Sequence, residues 1–379
     1  MPDFCPQDMP DGEPWAMRRR GLLGAAALGV LSPGLIACTS TADEQIAARA
    51  LRRPLSSGAG ERALLLRELV RLATLAPSSH NTQCWRFELQ EQAITIRPDL
   101  TRRCPVVDPD DQHLHVSLGC AVENLSHAAR AVGLQADVRH DADAGDLVVS
   151  LQPTRAVVTP LSEAIIQRQC TRGDYDGQAV ANDALKLLEQ AGTGQGVRVM
   201  LLTEPAAMER VLAYVVEANT AQMGNPAFMA ELKHWIRFSA AEAEHEADGL
   251  FSGASGSPVL PRWLASPLMG LFLSAGSENE RYARQVRNAS GIAIFVSEVS
   301  DRAHWVETGR CYERFALQAT ALGLRNAFLN QPVEVGAIRP QFAAALGLGQ
   351  GERPDLVVRF GRGPAMPMSM RRPVSSVIS

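Results

Sequence analysis

Hydroxyl and carboxamide side chains crowd into one short segment near residue 80. Residues 76–83 read Ala-Pro-Ser-Ser-His-Asn-Thr-Gln, and the candidate donors and acceptors there are Ser78, Ser79, Asn81 and Gln83. Such groups hydrogen-bond a planar heterocycle and its hydroxyl-bearing chain without imposing charge. A plain polar loop would contain the same residue types, so the segment alone leaves both interpretations open.

Arginine pairs occur at two further places in the chain. Arg168 and Arg172 lie four residues apart, and Arg371 and Arg372 follow a predicted strand at 355–360. The guanidinium fork suits a dianionic phosphate and an electron-rich ring edge. The alternative for the first pair is a solvated arginine cluster at a helix end.

The overall charge excludes one large class of partner. The 379 residues carry 37 basic and 41 acidic side chains, a net charge of −4, and they form no basic stripe of the kind that nucleic-acid binders use. His113 and His115 behind Asp108 are interpreted as an acidic helix start, so no metal site is expected. The seven cysteines contain no CxxC pair, and any disulfide pairing stays open.

The N-terminus has the pattern of an export signal. Arg18-Arg19-Arg20 precede an apolar Ala/Gly-rich run, and Leu-Ile-Ala-Cys at 35–38 resembles a lipobox. We therefore expect a twin-arginine signal at 1–37, a lipidated Cys38, and a tether at 39–60. The protein would then be a membrane-anchored lipoprotein on the periplasmic side, with Met1 and Met17 both open as the start.

Apolar spacing predicts the elements that position these groups. A helix is expected from about 61 to 75, a two-stranded hairpin at 85–89 and 93–97, and a second helix at about 113–133. Strands are expected at 146–152, 291–297 and 355–360. The polar loop therefore lies between a helix and a strand.

A stretch of the sequence recurs at a fixed offset of 190 residues. The matching pairs are Gly119/Gly309, Glu123/Glu313, Ala129/Ala319, Ala131/Ala321, Gly133/Gly323 and Leu134/Leu324. We interpret this as two half-domains, 61–155 and 156–379, packed like a symmetric dimer made covalent, so the chain is expected to be a monomer. Coincidence between two amphipathic helices is the alternative. Residues 238–285 do not fit the repeat and are interpreted as a lid-like insertion, with packing filler as the alternative.

These segments together resemble the flavin nitroreductase family, in particular its fused single-chain Acg type. The loop 76–87 is similar to the family's Ala-Pro-Ser-x-x-Asn-x-Gln-Pro-Trp motif, with Cys84 in place of proline. Residues 168–175 are similar to its Arg-Arg-Ser-x-Arg-x-Phe motif, with Gln169 and Cys170 in place of Arg and Ser. The C-terminal residues 361–373 are similar to its Arg-Arg-Pro ending. The resemblance covers about 61–379.

The resemblance implies an α+β fold of two mixed sheets flanked by helices, with FMN as the cofactor. It implies the following flavin-contacting residues: Ser78, Ser79, Asn81, Gln83, Arg168, Gln169, Cys170, Arg172, Asn330, Gln331, Arg371 and Arg372. Arg168 and Arg371 (or Arg372) would hold the phosphate, and Arg172 would lie at the flavin N1/O2 edge and stabilise the reduced anionic ring. No residue is implied as an obligatory acid or base.

The implied function is reduction of an electrophilic small molecule, such as a nitroaromatic or a quinone, with an electron donor that the sequence does not name. Two alternatives remain: an exported protein that binds or sequesters flavin with little turnover, and a solute-binding lipoprotein. The second half reads Ala-Gly-Thr-Gly-Gln-Gly at 191–196, where its own polar loop should be. One composite site per chain is therefore expected.

Overall fold

The computed structural model describes residues 48–55, 61–141 and 144–379. The predicted signal segment, the lipobox with Cys38 and much of the 39–60 tether lie outside the described residues, so their assignments stay predictions. Among the described residues, no helix has the length and apolarity that crossing a bilayer demands.

The first half of the chain is a four-stranded antiparallel sheet with two long helices. In chain order it contains α1 (Arg62–Ala73), β1 (Trp85–Gln90), β2 (Ala93–Pro98), α2 (Gln112–Ala131), β3 (Leu134–His140) and β4 (Leu147–Pro153). The strand order is β1-β2-β4-β3. The predicted helices, the hairpin and the strand at 146–152 are confirmed to within a few residues.

The second half begins with α3 (Pro160–Ala164), α4 (Asn182–Ala191) and β5 (Val197–Leu202). A long segment follows, with α5 (Pro205–Met223), α6 (Pro226–Trp235), β6 (Ile236–Arg237), α7 (Ala240–Glu246), β7 (Leu250–Phe251), α8 (Arg262–Phe272) and α9 (Ala275–Arg287). The chain ends with β8 (Gly291–Ser297), α10 (Arg302–Ala321), β9 (Arg325–Phe328), α11 (Gln331–Glu334), α12 (Arg339–Ala345), β10 (Arg353–Gly361) and α13 (Val374–Val377).

The second sheet repeats the arrangement of the first. Its order is β5-β8-β10-β9, again antiparallel throughout, so helix, two strands, long helix and two strands follow one another in both halves. The predicted α+β class is confirmed. All seven residues of β8 are buried, which accounts for the nearly continuous apolar run at 291–297.

The two long helices α2 and α10 cross at a pair of glycines. A Cβ on Gly119 would lie 2.0 Å from the carbonyl oxygen of Val306, and a Cβ on Gly309 would lie 1.9 Å from that of Val116. These contacts exchange under the 190-residue offset, because Val306 corresponds to Val116 and Gly309 to Gly119. Only glycine permits backbones to approach so closely.

The extra segment of the second half is longer than the sequence indicated. In the first half, β1 and β2 are joined by two residues, whereas the corresponding strands β5 and β8 are joined by 203–290. The segment thus extends beyond the predicted 238–285 on both sides. We call 203–290 the insertion.

The halves are interlaced rather than separate. One buried apolar cluster includes Leu69 and Phe87 of the first half with Phe315 and Phe360 of the second. The C-terminal tail also returns to the first half, where Ile378 forms a parallel bridge with Phe87. Residues from distant parts of the chain therefore meet between the halves.

Candidate functional site

A cavity of about 580 Å³ lies between the polar loop, α2 and the insertion. Its size is that of a typical cofactor site. The predicted site residues that line it are Ser78, Ser79, Asn81, Arg168, Gln169, Cys170, Arg172, Asn330, Gln331 and Arg371. Gln83 and Arg372 are not among the lining residues.

The polar loop has a strained backbone. His80, Asn81 and Gln83 have φ values of 46°, 54° and 54°, in the left-handed region that non-glycine residues seldom adopt. The Ser78 hydroxyl accepts a 2.9 Å hydrogen bond from the Gln83 amide and closes the turn. The surrounding contacts hold this conformation and place Ser78, Ser79 and Asn81 on the cavity wall.

The side-chain amides of Asn81 and Gln83 bind other parts of the chain. Asn81 donates to the Gly249 carbonyl at 3.0 Å, and Gln83 donates to the Ala247 carbonyl at 2.8 Å. The Gln83 Oε1 also accepts from the amide of Arg372 at 2.8 Å. These two side chains therefore fasten the insertion and the C-terminal tail to the loop. A direct flavin contact for them stays a prediction.

Arg168 is wholly buried at the C-terminal end of α1. Its Nη2 donates to the Leu75 carbonyl at 2.6 Å, and its Nε lies 3.0 Å from Glu313 Oε1, an ion pair without hydrogen-bond alignment. Burial is the largest single effect and lowers the pKa of this guanidinium, but Glu313, Cys170, Tyr312 and Cys120 together outweigh it, so the net shift is upward. Arg168 remains charged, and its Nη1 has only a distant contact, 4.0 Å to the Cys170 sulfur.

Another cavity arginine comes from the segment that the sequence suggested was a tether. Arg52 donates to the Arg168 carbonyl at 3.0 Å, is only 7% exposed, and has a buried Nε with no hydrogen-bond partner. Burial and then the neighbouring Arg168 lower its pKa to about 9. Sequence reasoning missed it because no strong hydrophobic periodicity surrounds it, although Arg49-x-x-Arg52-Arg53 was a visible signal.

Arg371 lies beside Arg52 and Arg168 but has no free N–H donor. Its five N–H groups meet Thr74 O, Leu75 O, Ala76 O, Met370 O and Asn81 Oδ1, at 2.7–3.2 Å. The predicted phosphate contact of Arg371 thus competes with a complete set of partners and stays a prediction. Arg372 instead points to the carbonyls of Gln83 and Ser376. We call Arg52, Arg168 and Arg371 the arginine cluster.

A buried carboxylate lies beside the arginine cluster. Glu313 is fully buried, and burial raises its pKa to about 7 despite the opposing effects of Arg168 and Arg371. With Glu313 ionised the group has a net charge of +2. The carbonyls at the end of α1 offset part of this charge. An anion entering the cavity would meet positive charge and the free donors of Arg52 and Arg168.

The other predicted lining residues bind neighbouring parts of the second half. Arg172 has no hydrogen bond or ion pair to its guanidinium within the described ranges, whereas Gln169 binds both backbone groups of Met366 at 2.9 and 3.0 Å. Asn330 Oδ1 accepts from the Val357 amide at 3.0 Å. Gln331 donates to the Tyr282 hydroxyl at 2.7 Å and keeps a buried, unpartnered Oε1.

The insertion supplies an apolar cover. Its lining side chains include Phe228, Leu232, Ile236, Phe238, Leu250, Leu260, Ala265, Met269 and Leu273. The cover is clamped to the first half by Asp248, which pairs with Arg102 and accepts from Arg237 Nε at 3.0 Å. The charge of Arg102 also lies 5.4 Å from the centre of the Trp235 ring.

Sequence comparison identifies relatives over most of the chain, although no family model matches it. "Putative NAD(P)H nitroreductase Rv3131" of Mycobacterium tuberculosis (strain ATCC 25618 / H37Rv) is 27% identical over 330 residues, 83% of this chain and 90% of that protein. "Putative NAD(P)H nitroreductase acg" of the same strain is 22% identical over 324 residues, 83% of this chain and 95% of that protein.

Solved structures show partial likeness only. The FMN-dependent nitroreductase NfnB from Mycobacterium smegmatis, in complex with NADPH, has a TM-score of 0.38 and 12% identity, covering 57% of this chain and 96% of that one. A nitroreductase with bound FMN from Bacteroides fragilis has a TM-score of 0.34 and 15% identity, covering 55% and 90%. The sequence relatives, together with the motifs at 76–87 and 168–175, support the nitroreductase family for this chain.

Proposed function

We propose that this chain is an FMN-dependent oxidoreductase that reduces an electrophilic small molecule such as a nitroaromatic or a quinone. The observation that carries the proposal is the arginine cluster, which places three buried cations and one buried carboxylate at a cavity of cofactor size. Buried charge of one sign is costly unless an anion offsets it. The names of the sequence relatives point to the same chemistry.

The residues present fit the cofactor. Arg52 and Arg168 offer free donors to a phosphate, and the hydroxyls of Ser78 and Ser79 lie on the same cavity wall. Buried polar atoms without partners are uncommon, and the unpartnered Oε1 of Gln331 on the cavity wall suits a donor on a heterocycle. When bound, FMN supplies the redox chemistry.

The residues around the cavity then have distinct tasks. The arginine cluster binds the phosphate, Arg172 holds positive charge beside the ring, and the insertion excludes water. His80 offers a neutral imidazole to the cavity, because burial, Arg172 and His113 lower its pKa to about 4. Proton delivery by His80 at neutral pH is therefore not part of the proposal.

One cofactor per chain is part of the proposal. At the position related to the cavity by the 190-residue offset, Glu307 and Arg310 replace the cavity-lining Ser117 and Cys120. Arg310 pairs with Glu123 at 2.9 Å, and a Cβ on Gly194 would lie 2.2 Å from Glu307 Oε1. The long, ion-paired side chains of Glu307 and Arg310 fill this second position. The small side chains of Ser117 and Cys120 leave the corresponding space open in the cavity. This supports a fused pseudo-dimer with a single remaining site, active as a monomer.

The firmly attached cover favours a second candidate, an exported protein that retains flavin with little turnover. Asn81, Gln83 and Arg102 all bind the 247–249 turn of the insertion. A cover with this many attachments opens slowly if it opens as one unit. The solute-binding alternative has no comparable support, because it needs no arginine cluster.

Export and anchoring complete the proposal. The sequence pattern at 18–38 supports a twin-arginine signal and a lipidated Cys38, and so a periplasmic, membrane-anchored protein. Metabolic labelling with a fatty acid tests it: the wild-type protein should incorporate label, and the Cys38→Ala variant should not. Equal labelling of both would contradict the anchor.

The activity is tested on the purified protein by following the flavin spectrum anaerobically. NADH, NADPH and dithionite are added in turn, followed by a quinone or a nitroaromatic. A reductase shows bleaching by a nicotinamide donor and reoxidation by the acceptor. Bleaching by dithionite alone supports the flavin-retaining alternative, and a protein that binds no flavin contradicts both.

A further inference from the structure

Three side chains with metal-binding atoms converge where the insertion meets the first half. They are His80 in the polar loop, Cys104 after the short helical turn at Leu100–Arg102, and Glu231 in α6. The imidazole nitrogen, the thiol sulfur and a carboxylate oxygen all lie within 4.8 Å of one another. These contacts join three separate parts of the chain, and the nitroreductase resemblance assigns them no role.

The separations approach those of a tetrahedral metal site. His80 Nδ1 and Cys104 Sγ are 3.5 Å apart. Two ligands at the usual Zn–N and Zn–S distances of about 2.0–2.1 and 2.3 Å are separated by about 3.5 Å when the geometry is tetrahedral. A Glu231 carboxylate oxygen lies within 4.8 Å of both atoms and is the third ligand.

The carboxylate is already oriented toward its neighbours. Its two oxygens accept hydrogen bonds from the amides of Val106 and Val107 at 2.9 and 3.0 Å. Supporting hydrogen bonds of this kind hold ligating carboxylates in place. The turn that carries Cys104 and the helix that carries Glu231 are thereby fixed relative to each other without a metal.

The surroundings contain charges of both signs. Asp108 and Glu334 act on the Cys104 sulfur along with Glu231, whereas Arg172 and His113 act on His80 from the cavity side. Three carboxylates act on the Cys104 sulfur, and each of them attracts a cation there. Imidazole, thiolate and carboxylate together are the ligand types of zinc.

We infer that His80, Cys104 and Glu231 form a zinc site that ties the insertion to the first half beside the cavity. Its fourth ligand is a water on the cavity side, since His80 lines the cavity. The alternative is a simple thiol–imidazole hydrogen bond with no metal. The inference does not depend on the proposed oxidoreductase function.

Any metal is first removed from the full chain with a chelator, and the chelator is then removed. Zinc binding is measured on this protein under reducing conditions. We expect the wild-type protein to take up one zinc per chain and its melting temperature to rise. Cobalt as a substitute should give a thiolate-to-metal charge-transfer band. Cys104→Ala should abolish the band, and Glu231→Gln should weaken binding by at least about 100-fold.

Matched variants separate ligation from folding. Cys311 is also a buried free cysteine, but its sulfur contacts Glu307 and Arg314 on α10 and not the cluster, so Cys311→Ala should bind zinc like the wild type. His80→Asn keeps a residue that tolerates positive φ while removing the imidazole, and should lose binding. Wild-type protein that takes up no zinc, or binding that survives Cys104→Ala, would overturn the inference.

Discussion

Among single residues, a substitution of Arg52 tests most clearly whether the arginine cluster binds FMN. Arg52→Gln removes one charge and a free donor but leaves the Arg168–Glu313 pair intact. We expect FMN binding to weaken by about 1.5–3 kcal/mol, the usual contribution of a hydrogen bond to a charged group. The measurement is a flavin titration of the apoprotein by calorimetry.

The matched control is the next residue. Arg53 is exposed and forms an ion pair with Glu68 at 2.5 Å outside the cavity, so Arg53→Gln should bind FMN normally. Riboflavin, which lacks the phosphate, should bind the wild type and Arg52→Gln equally. A riboflavin deficit matching the FMN deficit would show that Arg52 supports the fold rather than the phosphate.

Arg168→Ala is a poorer test, because it leaves Glu313 buried and unpaired, at a cost of about 3–5 kcal/mol.

The buried Glu313 carboxyl should make the stability of the protein depend on pH. Burial raises its pKa to about 7, above the ordinary value of 4.5, so the folded protein binds a proton more readily than the unfolded chain. The contribution of this group to stability is therefore greatest at low pH and is lost as the pH rises through about 7. Protonation also removes the negative charge that pairs with Arg168 in the arginine cluster.

The affinity for sulfate measures the loss of the Glu313 charge, because sulfate itself does not titrate near neutral pH. We expect the affinity of the apoprotein for sulfate to rise by about tenfold between pH 8 and pH 6, since one charge is removed near the bound anion. The Glu313→Gln variant, which is neutral throughout, should show a nearly constant affinity. An equal pH dependence in both proteins would assign the effect to another group.

At the scale of elements, the crossing of α2 and α10 depends on two glycines. Gly119→Ala and Gly309→Ala should each destabilise the protein by about 3 kcal/mol or more, because the added Cβ meets backbone that cannot move alone. Denaturant unfolding measures the change. Gly336→Ala is the control, since nothing lies within 4 Å of its Cβ position. A loss at Gly119 no larger than at Gly336 would contradict the close crossing.

The clamp at Asp248 decides how the cover behaves. Asp248→Asn weakens the pairing with Arg102 and Arg237, so FMN should dissociate about tenfold faster or more, in line with the loss of a buried charge-assisted contact. Glu209→Gln, which breaks an exposed pair with Arg287 in the insertion away from the cavity, is the control. Stopped-flow fluorescence of released flavin measures the rate. Equal rates would mean that the cover is held elsewhere.

The elements themselves could be predicted because each carries a local signal. The apolar spacing of α1 and the alternation in β1, where Trp85 and Phe87 are buried, report the surrounding packing directly. Arg52 could not be found in this way, because its role depends on a contact with Arg168 across 116 residues. The saturation of Arg371 by the carbonyls of 74–76 is likewise a tertiary property that no spacing reveals.

At the scale of the whole molecule, the interlaced halves explain why the cavity is asymmetric. Both halves have the same sheet order, but the loop before β5 spans only 192–196, against 74–84 before β1. The shorter loop cannot supply a second set of hydroxyls and amides. The sequence predicted this asymmetry from residue types, whereas the filling of the second position by Glu307 and Arg310 required the structure.

The proposed function requires a single FMN site per chain, and the stoichiometry of bound flavin tests this requirement. The purified protein is saturated with FMN, freed of excess, denatured, and the released flavin is counted against protein monomer, with its oligomeric state measured by light scattering. We predict one FMN per chain in a monomer, because one cavity contains the arginine cluster and ion-paired side chains fill its counterpart. Two FMN per chain, or none after saturation, would contradict this account.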